Sequence, residues 1–424
     1  MSTKKNASTR RKFIKSASIT LGGFMIVPRN VLGKGFIPPS DQLTKAIIGV
    51  GGMGQVHIKY GNTPVIAICD VNKQNLANTA SKIGGGVKIF TDYRDVLRQK
   101  DVDIVHIATP PHWHGIISID AAMAGKDVWC EKPMTRTIGE SKRVAEVMKQ
   151  YGKIFRLNTW FRFEEDLFGM KCKSTKIRKL VESGLLGWPL KVTVSKHTGF
   201  DWKFYWIGKM NQPAEPVPAH LDYDMWLGPA PKKPYTAHRA GPTFRGYWDY
   251  DGGGLGDMGQ HYLDPVQYIL GKDDTSPISV TVDADVQDKD AVGTFRRIIY
   301  TYADGCQIVL DGEGKDEGAA YIEGPKGKLY PEFKCSIPDI EKKLAEFPDP
   351  TPQATNFITC VKERKLFALN EQNGHRSCTI VNMGKIAMQL NRNLQFDPEK
   401  QLFLNDAEAN TLAYAEMHNN WRIG

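Results

Sequence analysis

An α/β fold in two parts is what this sequence predicts, and three observations predict it. Between residue 45 and about residue 160, short apolar runs alternate with helix-like segments. That is the pattern of a parallel, doubly wound sheet. Beyond residue 160, strand-like runs follow one another with turn residues between them, which suits an α/β domain with an open, mainly antiparallel sheet. The chain of 424 residues is also too long for one ordinary core. The expected division is a leader at 1–33, a dinucleotide-binding domain at 34–160 and a second domain at 161–424.

The leader is read from its charge. Residues 1–34 hold eight of the lysines and arginines and no acid, so the chain's net charge of +9 falls to about +1 for the remainder. A basic face for nucleic acid is therefore not expected on the folded part. Arg10-Arg11-Lys12-Phe13-Ile14-Lys15 precedes a weakly apolar stretch and then Val31-Leu32-Gly33. This reads as a twin-arginine export signal, with the periplasm or the exterior as destination. That route moves folded proteins, so a cofactor can be inserted first. No apolar run reaches the roughly 18–20 residues of a membrane span. The seven cysteines form no CxxC and no zinc spacing. No metal is expected, and a disulfide is left open.

The elements follow in order. KAIIGV (45–50) is a buried first strand, Gly54–Tyr60 opens a helix, and PVIAICD (64–70) is the second strand. A helix near 77–84, a strand and helix in KIFTDYRDVL, and a strand at 102–110 come next. The run continues with a helix from His114, the strand DVWCEKP, an amphipathic helix over 139–152 and the strand KIFRLNTW. In the second part LKVTVSKH, PISVTVDADV, TFRRIIYTYADGCQIVLDG and AAYIEGPKGKLY read as strands, and 374–393 as a helix that packs on one of the domains.

The chemistry begins at the first strand's end. Gly49, Gly51 and Gly54 fit G-x-G-x-x-G between a buried strand and a helix, with Gly52 and Met53 in the loop. The first glycine permits the turn, the second lets backbone approach a pyrophosphate, and the third lets helix and strand pack closely. Asp70 ends the second strand, where a carboxylate accepts from ribose hydroxyls and repels a 2′-phosphate, which favours NAD over NADP. ATPPHWHG (108–115) and CEKPMT (130–135) end two further strands and would flank the nicotinamide through Thr109, Pro110, Glu131 and Lys132. His112 and His114 fit a helix start as well as a ribose contact.

These segments carry a resemblance. GVGGMG, ATPPHWH and above all Glu131-Lys132-Pro133 resemble the glucose–fructose oxidoreductase, inositol dehydrogenase and MocA (Gfo/Idh/MocA) family, over most of the chain after the leader. LDYDMWLGPAPKKPY and GGGLGDMGQH resemble a secreted branch of it. The resemblance implies an oxidoreductase with Lys132, Asp257 and His261 as catalytic groups. Oxidising an alcohol needs a base and a group that stabilises the developing alkoxide. His261 would be the base, Lys132 would hold the substrate oxygen, and Asp257 would orient the site. Pro265 raises a second possibility, a new helix capped by Asp264 that separates the Asp257–His261 turn.

Trp160, Arg162, His197 and His238 are candidate substrate contacts. The aromatics at 202–206 and 247–250 suit a sugar-stacking surface or a subunit interface equally. The expected activity is oxidation of a hydroxyl of a sugar, glycoside or cyclitol by NAD that is tightly held, since an exported protein would lose a dissociable cofactor. Two alternatives stand beside it: a redox-neutral, NAD-dependent glycoside hydrolase, against which an intact Lys132 counts, and a non-catalytic sensor. A homo-oligomer through the second sheet is expected.

Overall fold

The computed structural model describes residues 42–159, 161–163 and 165–422. The leader and Trp160 lie outside them. The first part holds β1 (Lys45–Ile48), α1 (Gly52–His57), β2 (Val65–Cys69), α2 (Lys73–Ile83), β3 (Lys88–Phe90) and α3 (Tyr93–Leu97). β4 (Ile104–Ile107), α4 (His114–Met123), β5 (Asp127–Glu131), α5 (Ile138–Gln150) and β6 (Phe155–Asn158) complete it. All six strands pair in parallel in the order β3-β2-β1-β4-β5-β6. β1, β4, β5 and β6 are buried along their whole length, their polar residues Lys45, His106, Asp127, Glu131, Arg156 and Asn158 included. Asn72 and Thr137 cap α2 and α5 by accepting from backbone N–H groups of the first turn.

The second part is built on a nine-stranded sheet. It contains α6 (Ser174–Glu182), β7 (Lys191–Ser195), α7 (Tyr223–Leu227), α8 (Ala237–Ala240), α9 (Gly253–Ile269), β8 (Ser279–Ala284), β9 (Phe295–Thr301) and β10 (Gln307–Asp311). β11 (Ile322–Glu323), β12 (Lys328–Tyr330), β13 (Lys334–Cys335), α10 (Ile340–Leu344), α11 (Phe357–Glu363) and α12 (Glu371–Leu390) follow. β14 (Leu394–Asp397), β15 (Leu402–Phe403) and α13 (Ala407–Ala413) end it. The order is β13-β12-β11-β7-β10-β9-β8-β14-β15, and only β7 and β10 among the named pairs run parallel. The sheet is thus mixed and mostly antiparallel, as expected.

Two helices fix the site. Every residue of α9 is buried. α12 packs on α9 and also on α5 and β6, so it ties the two sheets together. Pro265 does not begin a new helix: α9 runs through it, and Asp264 turns its carboxylate to Arg162 instead of capping a turn. Asp257 and His261 therefore share one helix, four residues apart. All seven cysteines are free. Among the described residues no helix is long and apolar enough to cross a membrane.

Candidate active site

The carboxyl ends of β1, β2, β4 and β5 open into one cleft of about 580 Å³. Gly49, Gly51, Gly52, Met53 and Asp70 line it, and Thr109, Pro110, Glu131 and Lys132 continue the same wall. Gly49 has φ +83°, and a Cβ there would stand 2.7 Å from the Ala108 carbonyl carbon. A Cβ on Gly54 would collide with the Gly49 backbone, whereas one on Gly52 would meet nothing within 4 Å. Gly49 and Gly54 are thus required by packing, and Gly52 leaves space on the cleft side where a phosphate group can approach. Asp70 Oδ2 accepts from Val50 N (2.9 Å) and Asn75 Nδ2 (3.2 Å), and Oδ1 from Asn72 N (2.8 Å). Its carboxylate therefore also holds the glycine loop. Burial pushes its pKa up against these bonds.

Behind the Lys132 loop lies a buried polar network. Glu131 Oε1 stands 2.9 Å from His57 Nε2 and accepts from Asn158 Nδ2 at 2.6 Å. His57 Nδ1 is 3.0 Å from His106 Nδ1. Burial opposes the Glu131 charge, but the bond from His57 and its neighbouring charges hold this carboxyl below its usual value. Gln260 of α9 accepts from Met134 N (2.7 Å) and donates to Gly374 O (2.8 Å), which clamps the loop after Lys132 to α12.

The opposite wall comes from the second part. Lys132 Nζ donates to Asp257 O at 2.7 Å and to Asp257 Oδ1 at 2.8 Å. Arg245 Nε donates to the same Oδ1 at 3.0 Å, with its guanidinium over Phe244 and Trp206. Burial disfavours the Asp257 charge, but Lys132 and Arg245 outweigh it and hold this carboxyl well below the usual carboxylate range. His261, buried on the same helix, is pushed down to about 3 by burial and then by the Lys132 charge, so its ring is neutral at neutral pH.

A strap, residues 218–228, covers the Asp70 end of the cleft. Lys73 N donates to His220 O (2.8 Å) and Asp222 N to Val71 O (3.0 Å), and Leu221 bridges Asn72. The strap is latched at Gly228, where any Cβ would collide with the Trp113 ring. Asn419 Nδ2 donates to Gly228 O and Ala230 O at 2.8 Å, and Trp421 packs edge-on against Trp113.

Residues 43–159 match the family model described as "Oxidoreductase family, NAD-binding Rossmann fold", and residues 170–423 match the same family's "C-terminal alpha/beta domain". The chain belongs to the Gfo/Idh/MocA oxidoreductase family. Among relatives, inositol 2-dehydrogenase of Salmonella typhimurium is 28% identical over 156 residues, 35% of this chain and 44% of that protein. A glycosyl hydrolase family 109 protein of Shewanella pealeana is 26% identical over 248 residues, 48% of this chain and 51% of that protein. The matched stretches thus span about half the length of these relatives. The WlbA dehydrogenase of Bordetella pertussis, solved with NADH and UDP-GlcNAcA, superposes with a TM-score of 0.57 at 17% identity, covering 84% of this chain and 99% of that one. The cofactor of the family's first domain is NAD, and the open glycine loop with Asp70 fits it.

The family frame sorts the remaining candidates. Five of them do not line the cleft. Arg162 is fully buried, with Nε and Nη2 on Asp264 (2.9 and 3.0 Å) and Nη1 and Nη2 on Asp273 (2.8 and 2.6 Å). It is a core ion-pair centre, not a substrate contact. His112 is buried at the seam, its Nε2 3.0 Å from Trp226 O, and burial pushes it down to about 3. His114 is buried with its ring nitrogens 2.7 Å from Thr109 O and from Pro133 O, so it braces the two loops from behind and does not touch the cleft. His197 is exposed and bonded to Gly314 O on the far sheet. His238, half-buried, is bonded to Tyr247 Oη (2.8 Å) beside the strap. Of the aromatics at 202–206 and 247–250, Trp202, Tyr247, Trp248 and Tyr250 are core residues, and Tyr205 is exposed.

Three residues that sequence reasoning missed stand at the site: Arg245, Asp251 and Gln260. Gln260 sits inside the DMGQH stretch, where a buried amide at helix spacing from Asp257 was the available signal. Arg245 and Asp251 flank the cluster of aromatics before α9 and carry no spacing signature.

Proposed function

We propose that this protein is an exported oxidoreductase that oxidises a hydroxyl of a sugar, glycoside or cyclitol, using a tightly held NAD. The observation that carries the reading is the Lys132–Asp257 contact, which closes the cleft between the end of β5 and α9 beside the glycine loop. NAD, when bound, supplies the hydride acceptor. Lys132 has two of its three N–H donors on Asp257, which leaves one for the substrate oxygen, where it stabilises developing alkoxide charge. Asp257 fixes the direction of that donor. His261, neutral through burial, is able to accept the hydroxyl proton but too weakly basic to keep it. The strap over the Asp70 end and its latch at Gly228 favour retention of the cofactor through many turnovers.

The match to the family 109 protein favours one second reading, redox-neutral hydrolysis in which the hydride returns to the sugar. Purified full-length protein, checked for co-purifying NAD and incubated with a panel of inositols, aldoses and aryl glycosides, separates the two. A keto product with reduced cofactor supports the oxidoreductase. Free sugar with no net reduction supports the hydrolase. A protein that neither retains nor binds NAD overturns both and leaves the sensor reading. Export by the twin-arginine route follows from Arg10-Arg11. Replacing both arginines by lysine should keep the protein in the cytoplasm, and unchanged export would refute the route. Assembly of copies through the nine-stranded sheet is tested by light scattering, where a monomeric mass would refute it.

A further inference from the structure

Six residues before Asp257 stands a second carboxyl that neither motif nor resemblance singles out. Asp251 is 1% exposed and lines the same cleft as Lys132, Arg245 and Asp257. Its Oδ1 is buried and has no hydrogen-bond partner. The glycines that follow it make the room. A Cβ on Gly256 would collide with that Oδ1, and a Cβ on Gly252 would stand 2.5 Å from Lys385 Cε. Gly252 also sits at φ +143°, where a side chain is strained. The turn into α9 is therefore built around an acid and an amine, both out of solvent.

The two carboxyls differ in what faces them. Asp257 receives Lys132 and Arg245 directly. Asp251 has in ion-pairing distance none of the described cations. It feels Lys385 from α12, Arg245 from the turn at 242–246 and Lys132 from the end of β5 at longer range, and the Asp257 charge on α9 opposes its own. Lys385 is itself drawn away, its Nζ donating to Arg136 O at 3.3 Å and facing Glu140 as well. Burial, then Asp257, push Asp251 up to about 7, while the three cations pull the other way. A carboxyl so placed gains or loses a proton when a single charge nearby changes.

We propose that Asp251 receives the proton released when the substrate hydroxyl is oxidised, so that this carboxyl is ionised while the bound cofactor is oxidised and protonated while it is reduced. The inference rests on the oxidoreductase reading. The step balances. The substrate C–H bond breaks with its electron pair, which leaves to the nicotinamide, and the O–H bond breaks with the proton leaving through the shared cleft to Asp251. A C=O bond forms. One positive charge on the ring and one negative charge on Asp251 disappear together, so the net charge inside a low-dielectric cleft does not change. That avoids the electrostatic penalty which hydride transfer alone would impose. His261, held neutral by burial, is then not the final proton store.

The test uses the NAD-loaded protein and needs no known substrate. Infrared difference spectra are taken between the oxidised protein and the same sample reduced with borohydride, over a series of pH values. The expected result is a protonated-carboxyl C=O band that appears on reduction at neutral pH. Its titration midpoint should rise by about one pH unit or more between the oxidised and reduced states. Asp251→Asn should lose the band at every pH, and Asp257→Asn, which removes a charge that pushes Asp251 up, should move its midpoint to lower pH without abolishing it. If Asp251→Asn does not fold, Asp251→Glu should shift the band, and the wild-type spectra alone remain decisive. Bound NAD that is reduced with no carboxyl band, or a band that survives in Asp251→Asn, overturns the inference and leaves the oxidoreductase reading standing. A protein that binds no NAD overturns both.

Discussion

The two walls of the cleft are built by different rules. One wall is the row of strand ends of a parallel sheet, with Gly49, Asp70, Thr109 and Lys132 each within a residue or two of a strand terminus. There, position along a buried strand dictates position in the site, because the crevice beyond the carboxyl ends is where such sheets bind ligands. The other wall is assembled from a strap, a 3₁₀ turn and the first turns of α9, which are held by contacts far apart in sequence. Its side chains are set by what they touch, not by where they fall in a repeat. The first wall carries the glycine loop of the family's NAD-binding domain, and the second brings Asp257, Arg245 and Asp251 to face it.

The comparison breaks most severely at the joint between the walls. Arg162→Ala leaves the Asp264 and Asp273 carboxylates without their buried cation and should lower stability by about 3–5 kcal/mol in urea denaturation. Normal stability with impaired sugar turnover would restore the substrate-contact role. Within the sheet wall, Lys132→Ala should slow reduction of bound NAD by a responsive polyol by about 10²–10³-fold in single-turnover measurements. A loss confined to KM would show that Lys132 binds substrate without stabilising the transition state. Within the strap wall, Gly228→Ala forces a methyl into the Trp113 ring at a backbone of φ +46°. It should cost about 1–3 kcal/mol and speed NAD release without removing Lys132 chemistry. Unchanged retention of NAD on dialysis would mean that the strap does not hold the cofactor.

The last effect is a pH dependence, spread over more than two pH units. His112 sits at about 3 in the folded chain against 6.5 when free. Below pH 6.5 the unfolded chain binds a proton that the folded chain does not, so stability falls as pH falls toward the folded value. One such histidine contributes a slope of up to about 1.4 kcal/mol per pH unit. Replacing His112 by Gln should flatten the fall of the urea midpoint between pH 6.5 and 4 by that share. An unchanged slope would assign the loss to other groups, His261 among them.

The same contrast explains what was legible in the sequence. β1, β4 and β5 are legible because burial on both faces leaves them mostly apolar. The glycine loop and Lys132 are legible because each follows such a run. Asp257 and His261 are legible as a spacing, and the continuity of α9 through Pro265 is not, since that depends on Asp264 finding Arg162 some hundred residues earlier in the chain. Arg162 as a substrate contact, and the ribose-contact alternative for His112 and His114, share one weakness. A polar side chain near a motif looks like a ligand contact until its burial is known, and burial is a property of the assembled fold. Asp251 was missed for the converse reason. Nothing local distinguishes it from Asp249, and only the space opened by Gly256 and the distance to Lys385 set it apart.

The latch at Gly228 also sets an order of events. The carbonyl that Asn419 grips lies 191 residues upstream of it, and Trp421 meets Trp113 across a still longer stretch. During synthesis the glycine loop and the strap are both made long before the residues that fasten them. For that whole interval the strap lacks the Asn419 and Trp421 contacts that fasten it in the finished fold.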